Sequence, residues 1–115
     1  LNTVLIDDKN ILGGTTIFQD NECFKINNSY SNEWLKKEIE TLKSLKNLTI
    51  KTRTSLAAYH SYNYLLAREN LTDHLDINEK KDKIRQRLWK IRAKKVIIAT
   101  GAMERPLIFN NNEII

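Results

Sequence analysis

The sequence predicts an α/β domain in which parallel strands are joined by a helix and followed by a largely β segment. Three observations carry that reading. The apolar run Val4-Leu5-Ile6 stops abruptly at Asp7-Asp8, as a buried parallel strand does at its end. Residues 33–46 place Trp34, Leu35, Ile39, Leu42 and Leu45 at helical spacing. Beyond them the chain is rich in β-branched residues and closes on the fully apolar run Val96-Ile97-Ile98-Ala99.

The elements follow in order. After the strand at residues 4–6, Gly13-Gly14 marks backbone that turns tightly or lies close to a neighbour. Residues 15–32 are polar and Asn-rich and read mostly as loop, with a short strand at Thr16-Ile17-Phe18. Ser31 or Asn32 caps the helix, Glu33 lies in its first turn, Lys43 and Lys46 lie in its last, and Asn47 ends it. Residues 48–54 alternate with a period of two and predict a strand. A second strand is assigned within residues 59–69, at Tyr62-Asn63-Tyr64-Leu65-Leu66-Ala67-Arg68, where a helix remains an alternative. Residues 76–82 read as a turn or disordered tip, and residues 84–92 as an amphipathic edge strand alternating basic with apolar residues. The last strand covers residues 96–101, and Pro106 prevents regular continuation soon after it.

Composition narrows the class. The 115 residues are 41% hydrophobic and 29% charged, enough for one domain at most. No apolar run approaches the roughly 18 residues that span a bilayer, and the N-terminus lacks the pattern of a secretory signal. With one cysteine, Cys23, the sequence supplies neither an internal disulfide nor a thiolate metal cluster, so the expected compartment is the reducing cytoplasm. The net charge of +5 is concentrated between Lys80 and Lys95, a stretch that suits solubility first and an anionic partner second. The chain opens on Leu1-Asn2-Thr3 and stops on Glu113-Ile114-Ile115, which reads as a piece excised from a longer protein. Independent folding is then doubtful, because a neighbouring strand would be left with unpaired backbone groups.

Candidate site residues sit at strand ends. In nucleotide-binding α/β domains an acidic residue at the end of the second parallel strand accepts the adenosine ribose hydroxyls, and Asp7 occupies such a position. Gly13 and Gly14 would let backbone approach a cofactor, and Thr100 with Gly101 would do so from another strand end. His60 and His74 have no partner at metal-ligand spacing and no companion nucleophile, so no metal site and no catalytic residue is nominated. Trp34 and Trp89 are expected in the core, Cys23 is expected to be inert, and Glu104-Arg105 is expected to form a local ion pair before Pro106.

The order of these features resembles the interior of the disulfide-reductase-like FAD/NAD(P)-binding fold, a Rossmann-like domain of parallel strands with an inserted antiparallel β segment. The wording of the motifs narrows the resemblance. Residues 99–109, Ala-Thr-Gly-Ala-Met-Glu-Arg-Pro-Leu-Ile-Phe, preceded by Arg85-Gln86-Arg87-Leu88-Trp89-Lys90-Ile91-Arg92-Ala93-Lys94, look closely like the α subunit of heterotetrameric sarcosine oxidases. Asn63-Tyr64-Leu65-Leu66-Ala67 and Thr72-Asp73-His74-Leu75 add to the match.

That resemblance implies that residues 1–115 are a partial dinucleotide-binding domain of a longer subunit. By the same resemblance, its first strand and GxGxxG turn would lie upstream of Leu1, and a folate-binding region would lie downstream. It implies NAD in this domain, with FAD as the alternative, and FMN, FAD and tetrahydrofolate in the whole complex. The implied reaction is oxidative demethylation of sarcosine to glycine on the flavin of a partner β subunit, and the fragment alone would be inactive. The family tends to show Tyr-Asp-His-Asn where this chain has His60-Ser61-Tyr62-Asn63, so no role of that Asp or His transfers. FAD-binding subunits of opine and amine dehydrogenases share the Ala-Thr-Gly-Ala and Glu-Arg-Pro pattern and form the alternative. More distant alternatives are a subunit-docking module without cofactor and a nucleic-acid-binding module. The latter would use Arg85, Arg87, Lys90, Arg92, Lys94 and Lys95 interleaved with Leu88, Trp89 and Ile91. Acidic residues elsewhere and the lack of a recognised motif weigh against nucleic acid.

Overall fold

The computed structural model describes residues 1–18 and 25–102. Strands β1 (Thr3–Ile6) and β4 (Leu48–Lys51) form a parallel pair, joined through helix α1 (Ser31–Ser44) as a β-α-β unit. Before the helix, Gly14–Phe18 forms a 3₁₀ turn, and β2 (Lys25–Ile26) with β3 (Ser29–Tyr30) forms a minimal antiparallel hairpin. Strands β5 (Thr54–His60), β6 (Tyr64–Asn70) and β7 (Gln86–Arg92) form an antiparallel sheet in that order. A one-turn helix α2 (Ile77–Lys80) lies in the connection between β6 and β7. The mixed α/β class and the antiparallel insertion are thus as expected from the sequence.

Alternation along the strands decides the packing. Val4 and Ile6 of β1, with Thr49 and Lys51 of β4, face Ala67, Trp89 and Ile91 of the antiparallel sheet across an apolar slot of about 130 Å³. The intervening residue Leu5 points the other way, toward Trp34, Leu35, Ile39 and Leu42 of α1. The parallel pair is therefore the middle layer, with the helix on one face and the antiparallel sheet on the other. Among the described residues only Leu65 and Ala67 are buried apolar side chains.

Trp89 anchors the slot. Its indole Nε1–H donates to Glu69 Oε2 at 2.6 Å, and Lys51 Nζ lies 3.9 Å from the ring centroid. Trp34 and Trp89, expected in the core, are both half-buried walls of grooves.

Several elements depart from the sequence expectation. The helix ends at Ser44 rather than Lys46, where Thr41 Oγ1 donates to Lys37 O and Ser44 Oγ to Thr41 O, local bonds that compete with continuation. Tyr30, not Ser31 or Asn32, is the N-cap, and no side chain caps the helix. Ser31 is fully buried and its hydroxyl has no hydrogen-bond partner among the described residues. Removing that orphaned group by Ser31→Ala is expected to leave stability unchanged or raise it by about 1 kcal/mol. Thermal unfolding of the complete subunit checks this, and a loss of stability would show that the hydroxyl is satisfied.

The predicted strand at residues 48–54 is broken at Thr52-Arg53, where Arg53 takes φ +51 and the chain passes from one sheet to the other. Between β5 and β6, Tyr62 (φ 60) and Asn63 (φ 52) form a left-handed turn inside the predicted strand of residues 62–68. Residues 16–18 belong to the 3₁₀ turn instead of a strand.

Residues 96–101, read as the last strand, pair with no strand among the described residues, and Ile97 and Ile98 are 90% and 67% exposed. Apolar composition marks a segment fit for a sheet interior, but ladder hydrogen bonds make the strand, and these need a neighbour. Cys23 and Glu104-Arg105-Pro106 lie outside the described residues.

Candidate functional site

Asp7 stands at the C-terminal end of β1, where crevices of parallel sheets open. Its backbone N–H donates to Lys51 O at 2.9 Å and its carbonyl accepts from Thr54 N–H at 2.9 Å. The side-chain Oδ1 accepts the Lys9 N–H at 2.9 Å, which fixes the carboxylate in a local turn. Its other oxygen has no hydrogen bond to a described residue.

The carboxylate borders an open groove of about 350 Å³ between β1 and α1. Leu5, Leu12, Gly13, Leu35, Ile39 and Leu42 supply its apolar surface, Trp34 flanks it, and Glu38 is the second carboxylate. No cation lines it. Such a groove accepts hydroxyl donors and a flat apolar ring, whereas a phosphate would meet two like charges. The two carboxylate acceptors therefore suit a ligand that presents hydroxyl donors beside a flat apolar ring. Among the described residues no Gly-rich turn leads into an α-helix to supply the backbone N–H groups that a pyrophosphate needs.

Gly13 and Gly14 differ in role. A Cβ on Gly13 would sit 2.6 Å from Leu35 Cδ2 and 2.9 Å from Ile17 Cγ1, and the residue has φ +133. It lets the loop lie against α1 and lines the groove as a result. No described residue lies within 4 Å of a Cβ built on Gly14, whose φ of +55 itself favours glycine. Gly13→Ala is expected to destabilise the subunit by about 1–3 kcal/mol and to displace Leu35, as overpacked sites do. Gly14→Ala is expected to lose only about 1 kcal/mol through its left-handed backbone. Thermal unfolding of both variants decides whether contact or conformation dominates at each position.

Thr100 and Gly101 are exposed and neither lines the groove that holds Asp7 and Gly13, although Gly101 does take φ +72. The described structure brings together Asp7 and Gly13 and leaves the other three apart. Glu38 escaped sequence analysis, yet it stands four residues after Trp34 on the stripe that α1 turns toward Leu5.

A second polar cluster braces the loop after β1. Arg53 N–H donates to Lys9 O at 2.7 Å, and the Arg53 guanidinium pairs with Asp73, whose carboxylate is 3.5 Å from His74 Nδ1. The hydrogen bond from Arg53 holds the Asp73 carboxyl below the usual carboxylate range. Among the described residues no group of three His, Cys, Asp or Glu side chains is placed to hold a metal ion. No described helix is long and apolar enough to cross a membrane.

Strand order, crossover helix and an acidic residue at the strand end together define a Rossmann-like α/β segment. No family model matches the chain. Sarcosine oxidase subunit alpha from Corynebacterium sp. strain U-96 is 34% identical to it over 110 residues, 96% of this chain. The same subunit from Corynebacterium sp. strain P-1 is 32% identical over 110 residues, and that from Rhizobium meliloti strain 1021 is 28% identical over 111. The chain is thus homologous, along nearly its whole length, to a stretch of the sarcosine oxidase α subunit. It spans about 11% of the length of these relatives, which are named as subunits of an oxidase.

Proposed function

We propose that this chain is a dinucleotide-binding segment of the α subunit of a cytoplasmic, sarcosine oxidase-type oxidoreductase, and that NAD is its nucleotide. The observation that carries the reading is the Asp7 carboxylate at the end of a parallel strand, beside a groove that no cation lines among the described residues. Asp7 accepts ribose hydroxyls, Gly13 admits the ligand close to the backbone, and Trp34 with Leu12 flanks the adenine. Gly14, Thr100 and Gly101 serve as further backbone positions facing the cofactor once the complete domain surrounds them. The rest of the domain supplies the pyrophosphate site. Amine oxidation, sarcosine to glycine with tetrahydrofolate taking up the one-carbon unit, takes place on the flavin of a partner β subunit. No residue of this segment is catalytic, and FMN, FAD and folate belong to the wider complex.

The test is to purify the complete subunit, denature it and identify the released nucleotide by chromatography and mass. NAD supports the proposal. FAD would transfer the segment to the reading as an opine or amine dehydrogenase subunit, and absence of any nucleotide would leave a docking role.

A further inference from the structure

The two faces of the antiparallel sheet differ in how their charges are matched. On the inner face Arg87 meets Glu69 at 3.5 Å, and Lys51 is placed over Trp89. The outer face carries Arg68, Lys90 and Arg92, paired across the strands with Leu88, Leu66 and Tyr64. No carboxylate occupies an outward position on any of the three strands, and none of these three cations forms an ion pair among the described residues. Arg92 instead lies 5.3 Å from the Tyr64 ring centroid. Leu88, between the cations, is 55% exposed.

A second observation falls at the end of the same sheet. Tyr62, at the tip joining β5 to β6, is 87% exposed in a left-handed conformation that a bulky side chain rarely adopts. Asn63 holds that tip in place: its Oδ1 accepts the Tyr59 hydroxyl at 2.6 Å, its Nδ2 donates to Lys94 O at 3.1 Å, and its carbonyl accepts Ala93 N–H at 3.0 Å. An exposed aromatic held in strained backbone, at the end of the sheet where Tyr64 pairs with the unmatched Arg92, brings to this face the Tyr and Arg residue types that dominate binding energy at interfaces.

We propose that the outer face of β5-β6-β7 docks an acidic protein surface on another subunit of the complex, with carboxylates meeting Arg68, Lys90 and Arg92 around Leu88 and Tyr64. This rests on the reading of the chain as part of a multi-subunit oxidase. Charge complementarity selects the partner: three unmatched cations on a flat face attract an anionic surface and repel a basic one. Protein is favoured over nucleic acid because Trp89, the large stacking surface of β7, faces inward and is committed to Glu69 and Lys51.

The experiment uses the complete α subunit co-expressed with its partner subunits, comparing wild type with the triple variant Arg68→Glu/Lys90→Glu/Arg92→Glu. Native mass spectrometry gives composition, and sedimentation at graded salt gives affinity. The triple variant is expected to weaken association roughly a hundredfold or more, and to lose the salt sensitivity of the wild type, while keeping its nucleotide. The milder Arg68→Gln/Lys90→Gln/Arg92→Gln variant guards against misfolding and is expected to lose roughly tenfold. An equal reversal on the exposed face of α1, Lys36→Glu/Lys37→Glu/Lys43→Glu, is expected to leave the affinity for the partner subunits unchanged.

A charge-reversed subunit that assembles with wild-type affinity overturns the docking face and leaves the oxidase reading intact. A wild-type subunit that purifies with no partner overturns both. Nucleic acid co-purifying with the wild type and lost from the triple variant, or intact assembly with new protease sensitivity of the variant, overturns the proposal in favour of nucleic acid or of a covering segment in the same polypeptide.

Discussion

Asp7→Ala in the complete subunit is expected to weaken nucleotide binding by roughly ten- to a hundredfold without unfolding it. A hydrogen bond to a charged acceptor contributes about 1.5–3 kcal/mol, and each 1.4 kcal/mol is tenfold in affinity. The residue's structural bonds run mostly through its backbone, from N–H to Lys51 and from carbonyl to Thr54, and these survive the substitution. Only the Lys9 N–H loses its acceptor, at an exposed turn where water replaces it. Asp7→Asn keeps an acceptor for that N–H and removes the charge, so it is expected to fall between Ala and wild type. Titration of the nucleotide-stripped subunit gives the affinities, and thermal unfolding without nucleotide gives the control. Unchanged affinity in the Ala variant would remove Asp7 from the site.

Trp89→Ala is expected to destabilise the subunit by about 3 kcal/mol, the low end for truncating a large aromatic because the ring is half-buried. The indole forms one wall of the slot between the two sheets, beside Ala67, whose side chain is fully buried, and its removal enlarges that space. Trp89→Phe keeps a ring face for Lys51 but leaves Glu69 without its 2.6 Å donor, so about 1 kcal/mol is expected. Chemical denaturation of the three proteins separates the packing contribution from the hydrogen bond. If the Ala variant were as stable as wild type, the contact between the sheets would have to rest on other residues.

Periodicity made the central layer legible. The apolar run ending in Asp7, the helical stripe beginning at Trp34 and the alternation from Leu48 each report a local environment, and local environments are what spacing encodes. The antiparallel segment was legible as β but not in its divisions. The turn at Tyr62-Asn63 carries no glycine, and its left-handed residues are held by the side chain of Asn63 reaching 31 positions along the chain. The break at Arg53 was hidden for the same reason: its φ of +51 is supported by the backbone bond to Lys9 and the ion pair to Asp73, both remote in sequence.

The run Val96-Ile97-Ile98 shows the converse, since its composition reports what it is suited to contact and not what it contacts among the described residues. Of the site, Asp7 and Gly13 could be placed because a strand end and a close approach leave marks at single positions. Glu38 could not, because one carboxylate on a helix face looks like any solvated residue until the facing strand is known. The basic stretch of β7 was misleading as a single surface. Alternation sends Arg87, Trp89 and Ile91 inward and Leu88, Lys90 and Arg92 outward, which separates the aromatic from the unmatched cations.

Asp7 is also where the two sheets share a residue. Its N–H closes onto β4 and its carbonyl holds the first residue of β5, so the peptide groups flanking its carboxylate bridge both ladders. Local opening of either strand therefore perturbs the same carboxylate, and a ligand seated there resists both openings at once. If the groove on one side of the parallel pair holds a ligand as proposed, its occupancy and the rigidity of the sheet on the other side become linked, with the Asp7 backbone as one of the connections.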